Sequence, residues 1–191
     1  MCFISISLCC LVCSLVVVAR PQDPSTTSPI RHEVRFTKFE VFVNQSFGEV
    51  IEAAYKQYYE KQVLDVHMKF HTKVVLARIN YELVKCREHY IDCVNVRTFD
   101  VVNICDNYKA FTFFYKGPDV NPKVSCELNG DYISKNFTYN MNHLVPLIAA
   151  PSEKWWEQSF KCQSSYYDGN NNLIIKIISE NEFITFRMRN P

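Results

Sequence analysis

The sequence predicts an all-β domain, a sandwich or a barrel. Three observations carry that expectation. Apolar residues recur with a period of two along most of the chain. Reversal signals such as Asp-Gly and Asn-Gly separate the runs. Only two stretches depart from the pattern. A strand with one buried face must alternate in this way, whereas a helix would scatter the same residues around its circumference.

The runs follow in chain order. Phe39, Val41 and Val43 form a short set. Leu64, Val66, Met68 and Phe70 alternate with Asp65, His67 and Lys69. Val75, Ala77, Ile79, Tyr81 and Leu83 alternate with Leu76, Arg78, Asn80 and Glu82. Phe137, Tyr139 and Met141 alternate with polar residues, and Trp156, Phe160, Cys162 and Tyr166 share a parity. Of the four glycines, three sit at expected reversals: Lys116-Gly117-Pro118, Asn129-Gly130-Asp131 and Asp168-Gly169-Asn170. Such residues supply the positive φ that tight turns require.

Two stretches read otherwise. Phe47, Val50, Ile51, Ala54, Tyr55 and Tyr58 fall at helical spacing, which predicts a helix over Phe47–Gln62. Asp106–Tyr115 crowds Tyr108, Phe111, Phe113 and Phe114 into a short helix or an irregular loop.

The first residues bear on compartment. Met1–Ala19 carries no charged side chain, and Phe3–Val18 is almost wholly apolar. Val17 and Ala19 precede a plausible cut before Arg20, the layout of a cleaved secretory signal. An uncleaved anchor would want a slightly longer apolar run, roughly 20 residues. Residues 20–32, rich in Pro, Ser and Thr, read as a disordered leader, and 33–191 as one domain. A mature chain of about 170 residues can bury a real core.

Four of the nine cysteines lie in the signal, leaving Cys86, Cys93, Cys105, Cys126 and Cys162. An odd number leaves at least one thiol over. His89 between Cys86 and Cys93 invites a metal reading, but thiols in an exported chain more often oxidise to a disulfide. His67 and His71, four apart on a strand, stand about 13 Å from each other, too far to share one ion. Asn44-Gln45-Ser46 and Asn136-Phe137-Thr138 are sequons, so Asn44 and Asn136 are candidate glycosylation sites.

Catalytic motifs are scarce: the sequence holds no G-x-S-x-G, H-E-x-x-H, P-loop or dinucleotide fingerprint. The chain is read as a non-enzyme without cofactor or metal. With a net charge of +1 and no basic stripe, nucleic acid is a poor partner. The rich aromatic inventory fits either an ordinary filled core or an enlarged apolar cavity between sheets.

The order of the cysteines discriminates further. Cys86-Arg-Glu-His-Tyr-Ile-Asp-Cys93 is followed by Asn103-Ile104-Cys105-Asp106, then Cys126-Glu-Leu-Asn-Gly130-Asp-Tyr132, then Pro151, Trp155 and the Asp168-Gly169-Asn170 hairpin. This layout resembles the ML lipid-recognition superfamily, closest to the ganglioside activator protein and arthropod secreted or chemosensory relatives. The resemblance covers about Val63 to Ser179. It implies an immunoglobulin-like two-sheet β-sandwich with an inter-sheet apolar cavity, plus one or two short helices. It also implies bridges Cys86–Cys93 and Cys105–Cys126, worth about 2–4 kcal/mol each in the chain-entropy model. Family members commonly carry a first-strand cysteine that this chain lacks, which leaves Cys162 unpaired or intermolecular.

The resulting expectation is a secreted carrier of an apolar ligand: a lipid, fatty acid, sterol or hydrophobic semiochemical. Strand parity nominates Phe70, Phe137, Tyr139, Met141, Trp156 and Phe160 as lining residues, with Phe111 and Phe114 in a candidate lid. A membrane surface or a receptor is a further partner class. The alternative expectation is a secreted interaction or chemosensory accessory protein with a filled core and no small ligand.

Overall fold

The computed structural model describes residues 30–58, 61–106, 115–116, 126–139, 145 and 154–187. Within them the chain is almost entirely antiparallel strand. β1 spans Ile30–Val43, β2 Gly48–Tyr58, β3 Lys61–Cys86, β4 Val94–Val102, β5 Tyr115–Lys116, β6 Glu127–Tyr139, β7 Ser159–Asp168 and β8 Leu173–Arg187. Single helical turns occur at Glu88–Tyr90 and Trp155–Glu157. The expected signal and most of the expected leader lie outside the described residues; β1 begins at Ile30, inside the stretch assigned to the leader.

β3 organises the molecule. It runs for 26 residues, several times the usual strand length of about 5–6. Its first half pairs with β2 on one edge and β6 on the other. Its second half pairs with β4 and β7. β7 carries β8, and β8 carries β1, giving the order β1-β8-β7-β3-β6-β5. The sheet curls, so that β1 returns over the first half of β3. There the Phe36 N–H donates to Gln62 Oε1 at 2.5 Å, and the Tyr55 hydroxyl donates to Thr37 O at 3.4 Å. Phe36, Leu64, Leu76, Ile79, Phe160 and Ile174 are fully buried inside the curl.

The expected helix over Phe47–Gln62 is a strand. The reason is a bulge: Val50 pairs with Met68 and Glu52 with His67, so Ile51 is the extra residue. A bulge shifts the parity of a strand by one. Val50 and Ala53, three apart, therefore both pack on the core, while Ile51 between them is exposed. The three-residue spacing imitates a helix.

A second bulge shapes β3. Leu76 pairs with Asp168 and Arg78 with Tyr167, which places Ala77 as the extra residue. Inward parity is even before it (Leu64, Val66, Phe70, Val74, Leu76) and odd after it (Ile79, Tyr81, Leu83). Val75, expected on the inner face, is exposed, and Leu76 is buried in its stead. The two alternating runs belong to one continuous strand.

Asn129-Gly130-Asp131, expected as a reversal, lies within β6. Gly130 has φ +79°, and an added Cβ would meet nothing within 4 Å among the described residues, so glycine serves the backbone alone. Gly48 is required for a different reason: a Cβ there would stand 2.3 Å from Lys69 O. Both glycines are in register with Phe70, one on each side, and the Phe70 ring packs edge-on against Tyr132 at 5.7 Å. Asp168-Gly169-Asn170 does form the expected β7–β8 turn, held by the Asp168 carboxylate, which accepts the Asn170 and Asn172 N–H groups at 2.9 and 2.7 Å.

Candidate functional site: the aromatic inner face

The inner face of the β1-β8-β7 sheet is built by register. Phe39 pairs with Ser179, and Ser179 with Cys162, forming one rung; Phe36, Asn181 and Phe160 form the next. The end of β6 closes over these rungs. Phe137 approaches Phe39 at 6.4 Å, and Tyr139 approaches Phe36 at 5.3 Å between ring centroids. The aromatic series continues along the face, with Phe160 5.7 Å from Phe183 and Phe183 4.7 Å from Trp155. It ends at the sheet margin, where His32 stacks on Trp156 at 4.5 Å with its Nδ1 3.0 Å from Thr185 Oγ1. Burial holds the His32 pKa below its usual 6.5.

A polar island sits in this apolar face. The Tyr139 hydroxyl is hydrogen-bonded to Ser179 Oγ. Asn181 Nδ2 donates to Ser179 Oγ at 3.2 Å and contacts Cys162 Sγ at 3.8 Å. Asn181 is only 2% exposed, and its Oδ1 has no hydrogen-bond partner among the described residues. A buried acceptor left unpaired costs about 1–3 kcal/mol. Burial pushes the Cys162 thiol up to about 12, although Tyr139, Ser179 and Asn181 pull the other way. The thiol is therefore protonated at physiological pH and is not a poised nucleophile.

Of the expected lining residues, Phe137, Tyr139, Phe160 and Trp156 fall along this series. Trp156 does so from the single turn Trp155–Glu157 rather than from a strand. Phe70 lies elsewhere, in the first half of β3 against Tyr132. Phe111, Phe114 and Met141 lie outside the described residues. Sequence reasoning missed Phe36, Phe183, Trp155, Ser179 and Asn181 as members of the face. In β8, Ser179 and Asn181 occupy the inward parity, so the segment reads as polar just where it turns inside.

Cys86–Cys93 and Cys105–Cys126 are disulfides closing separations of 7 and 21 residues. These are the pairings the resemblance implies, and they fit an oxidising compartment. The shorter loop holds His89, Tyr90 and Asp92 at positive φ. Tyr90 anchors it to the sheet through Thr37 Oγ1, with Lys161 over its ring at 5.3 Å. In the Cys126–Tyr132 element, the Tyr132 hydroxyl donates to Glu127 O at 3.1 Å and accepts the Asn129 N–H at 3.2 Å. His67 and His71 pair separately, with Asp131 at 2.9 Å and Glu49 at 3.5 Å. Asn44 and Asn136 are both exposed.

No protein-family model matches the chain, and no curated protein matches it.

Proposed function

We propose that this chain is a secreted, non-enzymatic carrier of an apolar ligand, held between the end of β6 and the inner face of the β1-β8-β7 sheet. One observation carries the reading: an aromatic face with a hydrogen-bonding island inside it. Ligand sites are mostly apolar, with a few polar groups that fix orientation. Phe36, Phe39, Phe137, Phe160 and Phe183 supply the apolar wall. Tyr139, Ser179 and Asn181 supply the polar groups, and the unpaired Asn181 Oδ1 offers an acceptor to an incoming hydroxyl or N–H. Entry requires β6 to lift from the sheet. The cysteine order gives independent support, because it resembles that of ML lipid-recognition proteins, whose immunoglobulin-like sandwich holds lipid between its sheets.

Native mass spectrometry of protein secreted from eukaryotic cells, with solvent extraction of bound material, tests the proposal. A discrete apolar species released on denaturation supports it. A clean apo mass that also resists loading from a panel of fatty alcohols, fatty acids and sterols rejects it in favour of an interaction protein with a filled core.

A further inference from the structure

The end of the β1–β8 pair, where β1 finishes and β8 begins, carries a groove of about 310 Å³ lined by Phe42, Val43, Asn44, Asn172, Leu173, Ile174 and Lys176. That volume lies at the lower end of the range of ligand pockets, about 300–1,000 Å³. The groove is apolar at Phe42 and Leu173, which are 51% and 39% exposed, and polar at Asn172 and Lys176. Asn44 forms part of its wall and belongs to a sequon. Its side chain is already positioned: Oδ1 accepts the Ser46 N–H at 3.0 Å, and Nδ2 donates to Leu173 O at 3.1 Å. Its backbone N–H also donates to Ile174 O at 2.9 Å. An amide nitrogen has two hydrogens, so substitution of one leaves the other for Leu173 O.

The geometry points to Asn44 as an N-glycosylation site whose innermost sugar is seated in this groove, tying the β1–β2 turn to the β7–β8 hairpin. The C–H face of a sugar ring suits the exposed Phe42 ring and Leu173, while Asn172 and Lys176 can donate to its hydroxyls. In the covalent step, a bond forms between Asn44 Nδ2 and the sugar C1. The bond from C1 to the pyrophosphate oxygen of a lipid-linked oligosaccharide breaks, the lipid pyrophosphate leaves, and the displaced amide proton passes to the base of the transferase. The inference rests on the secretory part of the proposed function and is independent of the apolar ligand.

The test uses the full chain secreted from eukaryotic cells. Peptide mass spectrometry should find Asn44 glycosylated. Ser46→Ala abolishes the sequon but keeps the Asn44 side chain and the backbone N–H at 46, and it should lower the thermal midpoint by about 2–4 °C. Trimming the wild-type glycan to its first N-acetylglucosamine should leave the midpoint unchanged. In a Phe42→Ser background, which the exposure of Phe42 makes compatible with folding, Ser46→Ala should cause no further shift, because the sugar has lost its seat. A bare Asn44 in secreted protein overturns the site. A glycosylated Asn44 with no effect of Ser46→Ala, or with the same effect in both backgrounds, overturns the seat. Retention of the chain inside cells with both sequons bare rejects the secretory reading, and this inference with it.

Discussion

The Asp65 carboxylate of β3 accepts the backbone N–H of Asn136 on β6 at 2.8 Å. This bond secures the place where the two strands fall out of step, since Leu64 pairs with Phe137 but Val66 with Ser134. Asn136 has φ +57° at this bulge. Asp65 is 4% exposed and also receives Lys56 Nζ at 2.5 Å.

Burial alone would raise the Asp65 pKa, but hydrogen bonds from Lys56 and the Asn136 N–H outweigh it and hold the carboxyl below 3.8. A carboxyl with a depressed folded pKa contributes stability that is complete above its unfolded value and is lost as pH falls through the folded one. Asp65→Asn should therefore cost about 1.5–3 kcal/mol near neutrality, with the gap to wild type closing below pH 3.8. Thermal midpoints of both proteins between pH 2 and 7 check this; parallel curves would refute it.

Asn181→Leu should separate stability from binding. It removes a buried unpaired acceptor and loses the bond to Ser179, so the folded state should be unchanged or stabilised by up to about 1 kcal/mol. Affinity for a hydroxyl-bearing apolar ligand should fall about tenfold, while affinity for the matching hydrocarbon should not. Denaturant melts and titration with the ligand pair measure the two effects. A clear loss of stability would show that Asn181 is purely structural.

Cys162 should resist alkylation in the folded protein. With its thiol pushed up to about 12, little thiolate exists at pH 8, and iodoacetamide should label the site only after denaturation. Rapid labelling of native protein, read by mass spectrometry, would contradict the raised thiol pKa of this partly buried residue and revive an intermolecular role for it.

The two glycines beside Phe70 should differ in tolerance. Gly130→Ala meets no neighbour and strains only its positive φ, at a cost of about 1–2 kcal/mol. Gly48→Ala drives a Cβ against Lys69 O, which forces the β2–β3 pair apart and should cost more. Equal midpoints for the two variants would argue against that backbone approach.

The strand-rich character of the chain was legible because alternation is a local property, as in Leu64–Phe70 and Ile79–Leu83. Bulges broke the reading where one inserted residue flips every later side chain. Ile51 made β2 resemble a helix, and Ala77 reversed the expected faces of Val75 and Leu76. The candidate site was half legible. Phe137, Tyr139 and Phe160 follow from parity, but the inward Ser179 and Asn181 of β8 carry no apolar signal. They become visible only once β8 is paired with β1 and β7.

That pairing also sets a clock on biosynthesis. His32 on β1 meets Thr185 on β8, 153 residues later, so the first strand cannot find its partner until the last has left the ribosome. At about 5–20 residues per second, the wait is roughly eight to thirty seconds. Throughout it, Phe36 and Phe39 stand on an unpaired apolar edge. Such an edge invites adventitious strand addition, so the order of synthesis leaves β1 exposed to mispairing until β8 arrives.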